Sequence, residues 1–346
     1  MSKMVKPFNE PSLSNSQSSS LPEFGVFTST MRPLKQQKEI WVLGSTGYVG
    51  AQLTNLLIQK RHEGEFPGRI STLGHRTILP RVMQRTNFFM SSLNKLKKDK
   101  FIDYPPDVVF HCARLAGRSD RGRRTAAKQG YRANIRLRDI FEQLPIPPMV
   151  VYCSGTLMYG NTGKIANEKQ PISPIAYARA YEYAERPFTR EPAEATLDVR
   201  TARPAWILGP DSWFEYFFYR PALKLGYVPY YGDGEQQMSI ISVEDCAGQL
   251  IHVSTHGAPG ENYNLFGFAP ISQLAFANKT AKILDLDVRQ IRENELIKKH
   301  GKTVAEALTS NTPITTLHTE WKASYNAVDH DLDLLIARAV KALDQR

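Results

Sequence analysis

Three glycines spaced three apart punctuate the run Trp41-Val42-Leu43-Gly44-Ser45-Thr46-Gly47-Tyr48-Val49-Gly50. A short apolar strand runs into them, and the residues that follow place Val49, Leu53, Leu56 and Leu57 at helical spacing. The chemistry open to such a turn is anion binding, because backbone N–H groups and a helix N-terminus converge on a phosphate. Gly44 permits the tight turn, Gly47 the close approach of a pyrophosphate, and Gly50 the packing of helix on strand. Ser45, Thr46, Tyr48 and Val49 complete the expected cradle. The pattern predicts a bound dinucleotide. Its type is decided after the second strand, Arg69 to Leu73, where an acid would bond a ribose 2′-OH and an arginine would accommodate a 2′-phosphate. No acid follows Leu73, whereas His75 and Arg76 do, which favours NADP and leaves NAD as the other option.

Those residues need a sheet to hold them. A third strand is expected at Asn87 to Met90. The fourth is the apolar run Val108-Val109-Phe110-His111-Cys112-Ala113, opened by Pro105-Pro106 and followed by a helix near Tyr131 to Leu144. Met149 to Cys153 and Leu197 to Ala202 supply the fifth and sixth, ending at Ser154-Gly155-Thr156 and Arg203-Pro204. Strands alternating with helices predict an α/β fold, a doubly wound parallel sheet of the Rossmann type with ligands beyond the carboxyl ends of its strands. The dinucleotide-binding domain is placed at 39–210. A smaller C-terminal lobe at 211–346 is expected to bind substrate, with 238–255 returning to the Rossmann core. A last amphipathic helix is expected at Leu332 to Leu343, with Leu332, Leu335, Ile336, Ala339 and Leu343 on one side.

Composition limits the remaining classes. At 346 residues, 42% hydrophobic and 23% charged, the chain has the make-up of a globular protein with a substantial core. No apolar run reaches the roughly 20 residues that span a bilayer. Residues 1–38 are rich in Ser, Pro and Gln and read as a mobile tail. Cys112, Cys153 and Cys246 do not make a disulfide framework, so a reducing, cytoplasmic compartment is expected, with organellar import left open. No His or Cys cluster has metal-ligand spacing, and no metal is expected. The net charge is +10, with a basic block of Arg114, Arg118, Arg121, Arg123, Arg124, Lys128, Arg132, Arg136 and Arg138. Such a block is either a solvated helix face and loop or an attractor for a phosphorylated substrate, an acidic carrier protein or nucleic acid. No aromatic RNA-binding signature accompanies it, which puts nucleic acid last.

Taken together, these fragments resemble the extended short-chain dehydrogenase/reductases, in particular the NAD(P)-dependent epimerase/dehydratase group, from Glu39 to about Leu286. The likeness includes the glycine turn, Asp107 to Ala113, Asn134, Tyr159-Gly160, Arg203-Pro204-Ala205, Gly209-Pro210, Gly232-Asp233-Gly234, Val243-Glu244-Asp245 and Tyr263-Asn264-Leu265. The resemblance implies that Ala113 and Pro204 also line the cofactor. It implies a catalytic tyrosine, a lysine four residues later that holds ribose and lowers the phenol's pKa, and a Ser or Thr after the fifth strand. Tyr177 fills the tyrosine position, but Tyr181 stands where the lysine belongs, and Gly155 replaces the hydroxyl residue. Thr156, and beside it Ser154, are the substitute hydroxyls. Tyr181 brings no charge at neutral pH, and a phenolate from a parent pKa of about 10 then costs about 4 kcal/mol. An arginine of the Arg114–Arg124 loop is one source of the missing charge.

Met238 occupies the place where sugar-nucleotide enzymes of the family carry a diphosphate-gripping arginine. The stretch Trp213-Phe214-Glu215-Tyr216-Phe217-Phe218-Tyr219 either lines an apolar pocket or packs between lobes. The expected activity is therefore NAD(P)-dependent reduction of a small, partly apolar carbonyl or enone, free, anionic or carrier-bound. The alternative is an NADP(H)-binding scaffold, assembly subunit or redox sensor without catalysis, and an RNA-binding protein on the same fold is more remote. Cys112, Cys153 and His111 are read as core residues, and a homodimer or larger complex as the family's habit.

Overall fold

The structure, a computed structural model, describes residues 34–115, 117, 119–189 and 197–346. Most of the expected tail, residues 1–33, and Arg118 of the basic block lie outside the described residues. Leu34–Gln36 form a short 3-10 turn, Leu34 packs on the core, and Gln37 is buried. The tail boundary expected at residue 38 therefore falls inside structured chain.

Strand β1 (Glu39–Leu43) is buried at every position, as a strand covered on both faces must be. Helix α1 (Tyr48–His62) leads to β2 (Arg69–Gly74), and α2 (Pro80–Arg85) to β3 (Asn87–Met90). Helix α3 (Asp99–Asp103) precedes β4 (Val108–His111), α4 (Asp120–Glu142) precedes β5 (Met149–Cys153), and α5 (Ala176–Thr189) precedes β6 (Val199–Pro204). Then come β7 (Trp206–Leu208), α6 (Arg220–Leu225), β8 (Tyr227–Tyr231), β9 (Gln237–Met238), β10 (Ile240–Ser242), α7 (Val243–His256) and β11 (Asn262–Leu265). The chain ends through β12 (Ile271–Ser272), α8 (Gln273–Leu284), β13 (Asp287–Ile291), α9 (Glu293–His300), α10 (Lys302–Thr309), α11 (Thr319–Ala323) and α12 (Leu332–Asp344).

Seven parallel strands make the central sheet in the order β11-β6-β5-β4-β1-β2-β3. The order reverses between β1 and β4, and the crevice at that switch point is where doubly wound sheets bind ligands. Three expectations need correction. The helix after β4 starts at Asp120 rather than near Tyr131, because Ser119 caps it by accepting a hydrogen bond from the Gly122 N–H at 3.1 Å. The sixth strand runs Val199–Pro204, two residues later than read. The return to the core extends past 255, because β11 joins the sheet beside β6. That strand escapes a hydropathy reading because it is short and half polar, with Asn264 fully buried and bonded to the phenol of Tyr159.

The lobe has its own core. Phe276 meets Trp213, Phe214 and Phe218 at ring-centroid distances of 5.3, 6.0 and 5.1 Å, and α12 covers it with Leu335, Ile336, Ala339, Val340 and Leu343. In the main sheet, at the carboxyl end of the central strand β4, His111 is fully buried and its Nε2 contacts Asn134 Oδ1 at 3.0 Å. Burial lowers its pKa from 6.5 to about 4, so it is neutral when folded. The unfolded chain binds a proton there near pH 6.5, and stability is accordingly lost as pH falls from about 6.5 toward about 4. The difference amounts to about 3 kcal/mol. Urea unfolding near neutrality and near pH 4 should show a flatter pH dependence in His111→Gln than in the wild type; identical slopes would assign the acid sensitivity elsewhere.

Candidate active site

The glycine turn is built backbone on backbone. Gly44 takes φ +87°, and a Cβ there would lie 2.8 Å from the backbone of Ala113, just beyond β4. A Cβ on Gly50 would come within 2.2 Å of the Gly44 carbonyl oxygen. Only glycine fits either place. Part of the turn's hydrogen-bonding capacity is spent internally, since the N–H groups of Gly44 and Ser45 donate to Leu73 O at 3.0 and 3.1 Å. Gly47 N–H donates to Gly44 O at 2.9 Å, and Gly47 caps α1 with no side-chain hydrogen bond. The first-turn N–H groups of Tyr48 and Val49 are among those left open to an anion.

A groove of about 750 Å³ opens in front of them. Gly44, Thr46, Gly47, Tyr48 and Val49 form its floor, His75 and Arg76 its β2 side, and Ala113, Tyr181 and Pro204 its far side. A helix N-terminus without a side-chain cap, at a groove of this volume with Arg76 in its wall, fits a dinucleotide. Ser45, expected in the cradle, is not in the wall. Its side chain is fully buried and its N–H is already bonded to Leu73. Gly50 also lies behind the wall, as a packing position.

Tyr177 and Tyr181 are one turn apart on α5, with ring centroids 5.7 Å apart at 62°. Tyr181 is buried and lines the groove, whereas the half-buried Tyr177 lines only the neighbouring pocket, not the cofactor groove where it was also expected. Two guanidinium groups cover these rings. Arg114 Cζ lies 4.2 Å from the Tyr181 centroid, and Arg123 Cζ lies 5.8 Å from the Tyr177 centroid. Contacts of this kind are worth about 0.5–2 kcal/mol each. Burial pushes the Tyr181 phenol above its ordinary pKa, and the Arg114 charge is the foremost influence opposing that. An arginine of the Arg114–Arg124 loop is expected from the sequence as a source of the missing charge. Arg114 does extend from the end of β4, but Arg123 belongs to the first turn of α4 rather than to a loop.

The pocket beside Tyr177 measures about 260 Å³ and shares Arg114, Ser154, Tyr181 and Pro204 with the groove. Its remaining walls are mostly apolar, with Leu157, Met158, Ala205, Trp206, Ile207 and Trp213. Thr156 also lines it. Ser154 Oγ donates to the buried Glu185 Oε2 at 2.6 Å, so its proton is committed and it can only accept from a ligand. Trp213 is the one member of the aromatic stretch in this wall; Phe214 and Phe218 pack in the lobe core and Tyr216 is exposed. Around Met238 the space between Trp206, Trp213, Phe218 and Leu308 is closed to about 10 Å³.

Three site residues were not singled out from the sequence. Trp206 follows the sixth strand without any motif of its own. Glu185 continues the Tyr177–Tyr181 helical face by one more turn, a spacing that was there to be read. Glu306 of α10 accepts a hydrogen bond from the Ala176 N–H at 3.0 Å and so caps the first turn of α5 from the far lobe. The Cys112 thiol lies against Cys153, whose hydrogen bond raises its pKa together with burial, and both line the groove. Among the described residues no group of His, Cys, Asp or Glu is placed to hold a metal, and no helix is long and apolar enough to cross a membrane.

The glycines can be separated by experiment. A Cβ at Gly47 would meet only the Gly44 oxygen, at 3.3 Å. Gly47→Ala should therefore unfold within a few degrees of wild type while weakening NADPH binding by about tenfold or more, whereas Gly50→Ala should lower both. Nucleotide fluorescence and a thermal melt on each variant decide the matter; equal melting points would refute the packing role of Gly50.

Among proteins of curated function, none matches this sequence. Solved structures do. A dTDP-glucose 4,6-dehydratase from Bacillus anthracis in complex with NAD superposes with a TM-score of 0.71 at 16% identity, covering 89% of this chain and 97% of that one. A UDP-glucuronic acid 4-epimerase from Bacillus cereus in complex with NAD gives 0.70 at 14% identity over 89% and 99%. A human epimerase family protein with NADPH gives 0.69 at 16% identity over 88% and 99%. At these identities the likeness establishes the fold. The model of the NAD dependent epimerase/dehydratase family matches residues 40–265, which span the glycine turn, the phenol pair and all seven strands of the main sheet. This chain belongs to the NAD-dependent epimerase/dehydratase family.

Proposed function

We propose that the protein is an NADP(H)-dependent oxidoreductase that reduces a small, partly apolar carbonyl or enone. The observation that carries this reading is the junction of two cavities. A dinucleotide-sized groove opens at Arg114, Ser154, Tyr181 and Pro204 into a pocket of about 260 Å³ that holds Tyr177 and Thr156. Met238, in place of a diphosphate-gripping arginine, is buried and borders a space of only about 10 Å³, which argues against the diphosphate of a sugar nucleotide being held at this position. Known dehydratase and epimerase relatives are complexed with such sugars or with NAD, so the substrate proposed here differs in class from theirs.

The groove residues would hold the dinucleotide through the N–H groups of Tyr48 and Val49, with Arg76 and His75 at a 2′-phosphate. The nicotinamide, when bound, supplies a hydride. Everything else is done by the chain. Tyr177 Oη gives a proton to the substrate oxygen, and Thr156 Oγ1 donates the second hydrogen bond that orients it. Ser154, committed to Glu185, cannot share that task. A neutral Tyr181 takes the ribose-facing position and exchanges hydrogen bonds there without charge. Trp206 and Trp213 contribute apolar surface that excludes water from the reacting carbonyl.

A second reading, a cofactor-binding scaffold or redox sensor without turnover, is motivated by Tyr181 in the lysine position. Kinetics with NADPH and an aromatic aldehyde such as para-nitrobenzaldehyde separate the two. On the oxidoreductase reading Tyr177→Phe loses about a hundredfold or more in kcat with cofactor affinity kept; a wild type that binds NADPH yet turns over no carbonyl favours the scaffold. Cofactor choice is tested separately: Arg76→Ala should weaken NADPH by about tenfold and leave NADH nearly unchanged, and equal losses for both would remove Arg76 from the 2′-phosphate.

A further inference from the structure

We propose that Arg114 is the positioning residue that replaces the missing helix lysine, delivering its positive charge to the Tyr177–Tyr181 pair from the end of β4, with Arg123 as its second. This rests on the oxidoreductase reading and adds the origin of the charge. The family resemblance implies a lysine at position 181, on the helix of Tyr177, whereas here the cation comes from a different element, so no motif on α5 reveals it. Arg114 stands three residues beyond β4, lines both cavities and lies 4.2 Å from the centroid of Tyr181, which itself packs edge-on against Tyr177. Among the described residues it makes no ion pair with a carboxylate, and its charge acts on the Tyr181 phenol. Arg123 approaches the other ring from the N-terminal turn of α4.

The charges around the pair can be named from each packed element. Arg114 and Arg123 are positive, from the β4 end and α4. Glu185, on α5 itself, is held by Ser154, and Glu306, on α10, is held at the Ala176 N–H. Tyr48 of α1 contributes a further buried phenol to the same pocket. In reduction, the carbonyl carbon takes a hydride from a reduced nicotinamide and its oxygen takes the proton from Tyr177 Oη. The electron pair left on that oxygen is the phenolate that the guanidinium groups favour, and solvent returns the proton afterwards.

The same geometry reverses an intuition about Tyr181. Restoring lysine there would set an ammonium against Arg114 rather than fill a void, so Tyr181→Lys alone should give no large gain. In an Arg114→Gln background the lysine should rescue. The test is an ultraviolet difference titration of tyrosinate, with Tyr177→Phe and Tyr181→Phe identifying the signal of the pair. In Arg114→Gln the titration should move up by about one pH unit, a tenfold change in the ionisation constant. Arg114→Lys should keep it near wild type, and Arg114→Gln/Tyr181→Lys should bring it back. No movement in Arg114→Gln, or movement that a lysine at 181 does not reverse, overturns the proposal, because a purely structural arginine would not be replaced by charge from another element. A titration that behaves as expected in a protein that reduces no carbonyl would leave the charge assignment standing and remove the oxidoreductase reading instead.

Discussion

The contact between the glycine turn and the end of β4 is the constraint from which the site follows. Gly44 meets Ala113, and Gly50 meets Gly44, at distances that leave no room for one methyl group. This seating sets the depth of the groove in front of α1. It also fixes where Ala113 ends and Arg114 begins, and therefore where the guanidinium falls over Tyr181. The cofactor cradle and the charge above the phenols are thus two consequences of one backbone approach. Side chains farther out can vary without disturbing either, provided the three glycines keep the turn thin.

The second determinant is the lobe. Its aromatic core, centred on Phe276, packs Phe214 and Phe218 edge to face and Trp213 at a tilt, and narrows the space beside Met238. The region downstream of the family match does more than cover a surface. Through α10 it caps α5 at Ala176 and places Ala307 against Ile175, Ala178 and Tyr181. The helix that carries the phenols is therefore held from both sides, by α4 on the sheet and by α10 on the lobe. The pocket beside Tyr177 and the position of the phenols are thus shaped by neighbouring packed side chains.

How much of this could be read in the sequence depended on whether the controlling interaction was local. The glycine turn, β1 to β5 and the amphipathic α12 announce themselves through spacing and periodicity, because the residues that define them are neighbours in the chain. The start of α4 did not, since Gly122 and Gly130 interrupt a run whose helical state is secured by the Ser119 cap. Strand β11 was quoted as a family fragment but not as a strand, because its place is set by pairing with β6 across more than fifty residues. Ser45 belongs to the right motif and is nevertheless buried behind the groove wall, because only the fold decides which face of a turn is buried. The lysine position was legible as a loss. Its geometric counterpart on another element was legible only as one arginine among many in a basic block.

That distinction bears on what the site can do. A lysine on the catalytic helix has two jobs, since its ammonium both hydrogen-bonds the ribose and places charge beside the phenol. A guanidinium lying over a ring face keeps the charge but directs its N–H groups in its own plane, away from the ring beneath it. In the arrangement proposed for this chain the two jobs are divided: charge resides on Arg114 and Arg123, while hydrogen bonding at the ribose falls to the neutral hydroxyl of Tyr181. The division weighs unequally on the two directions of reaction. Oxidation needs the phenolate before chemistry begins, supported in the proposed arrangement by Arg114 and Arg123 rather than by a ribose-bound ammonium. Reduction starts from the neutral phenol and meets the charge only as the proton leaves, which is when cations above the rings act most strongly. The proposed arrangement accordingly suits proton donation, and it does so without an ammonium group on α5.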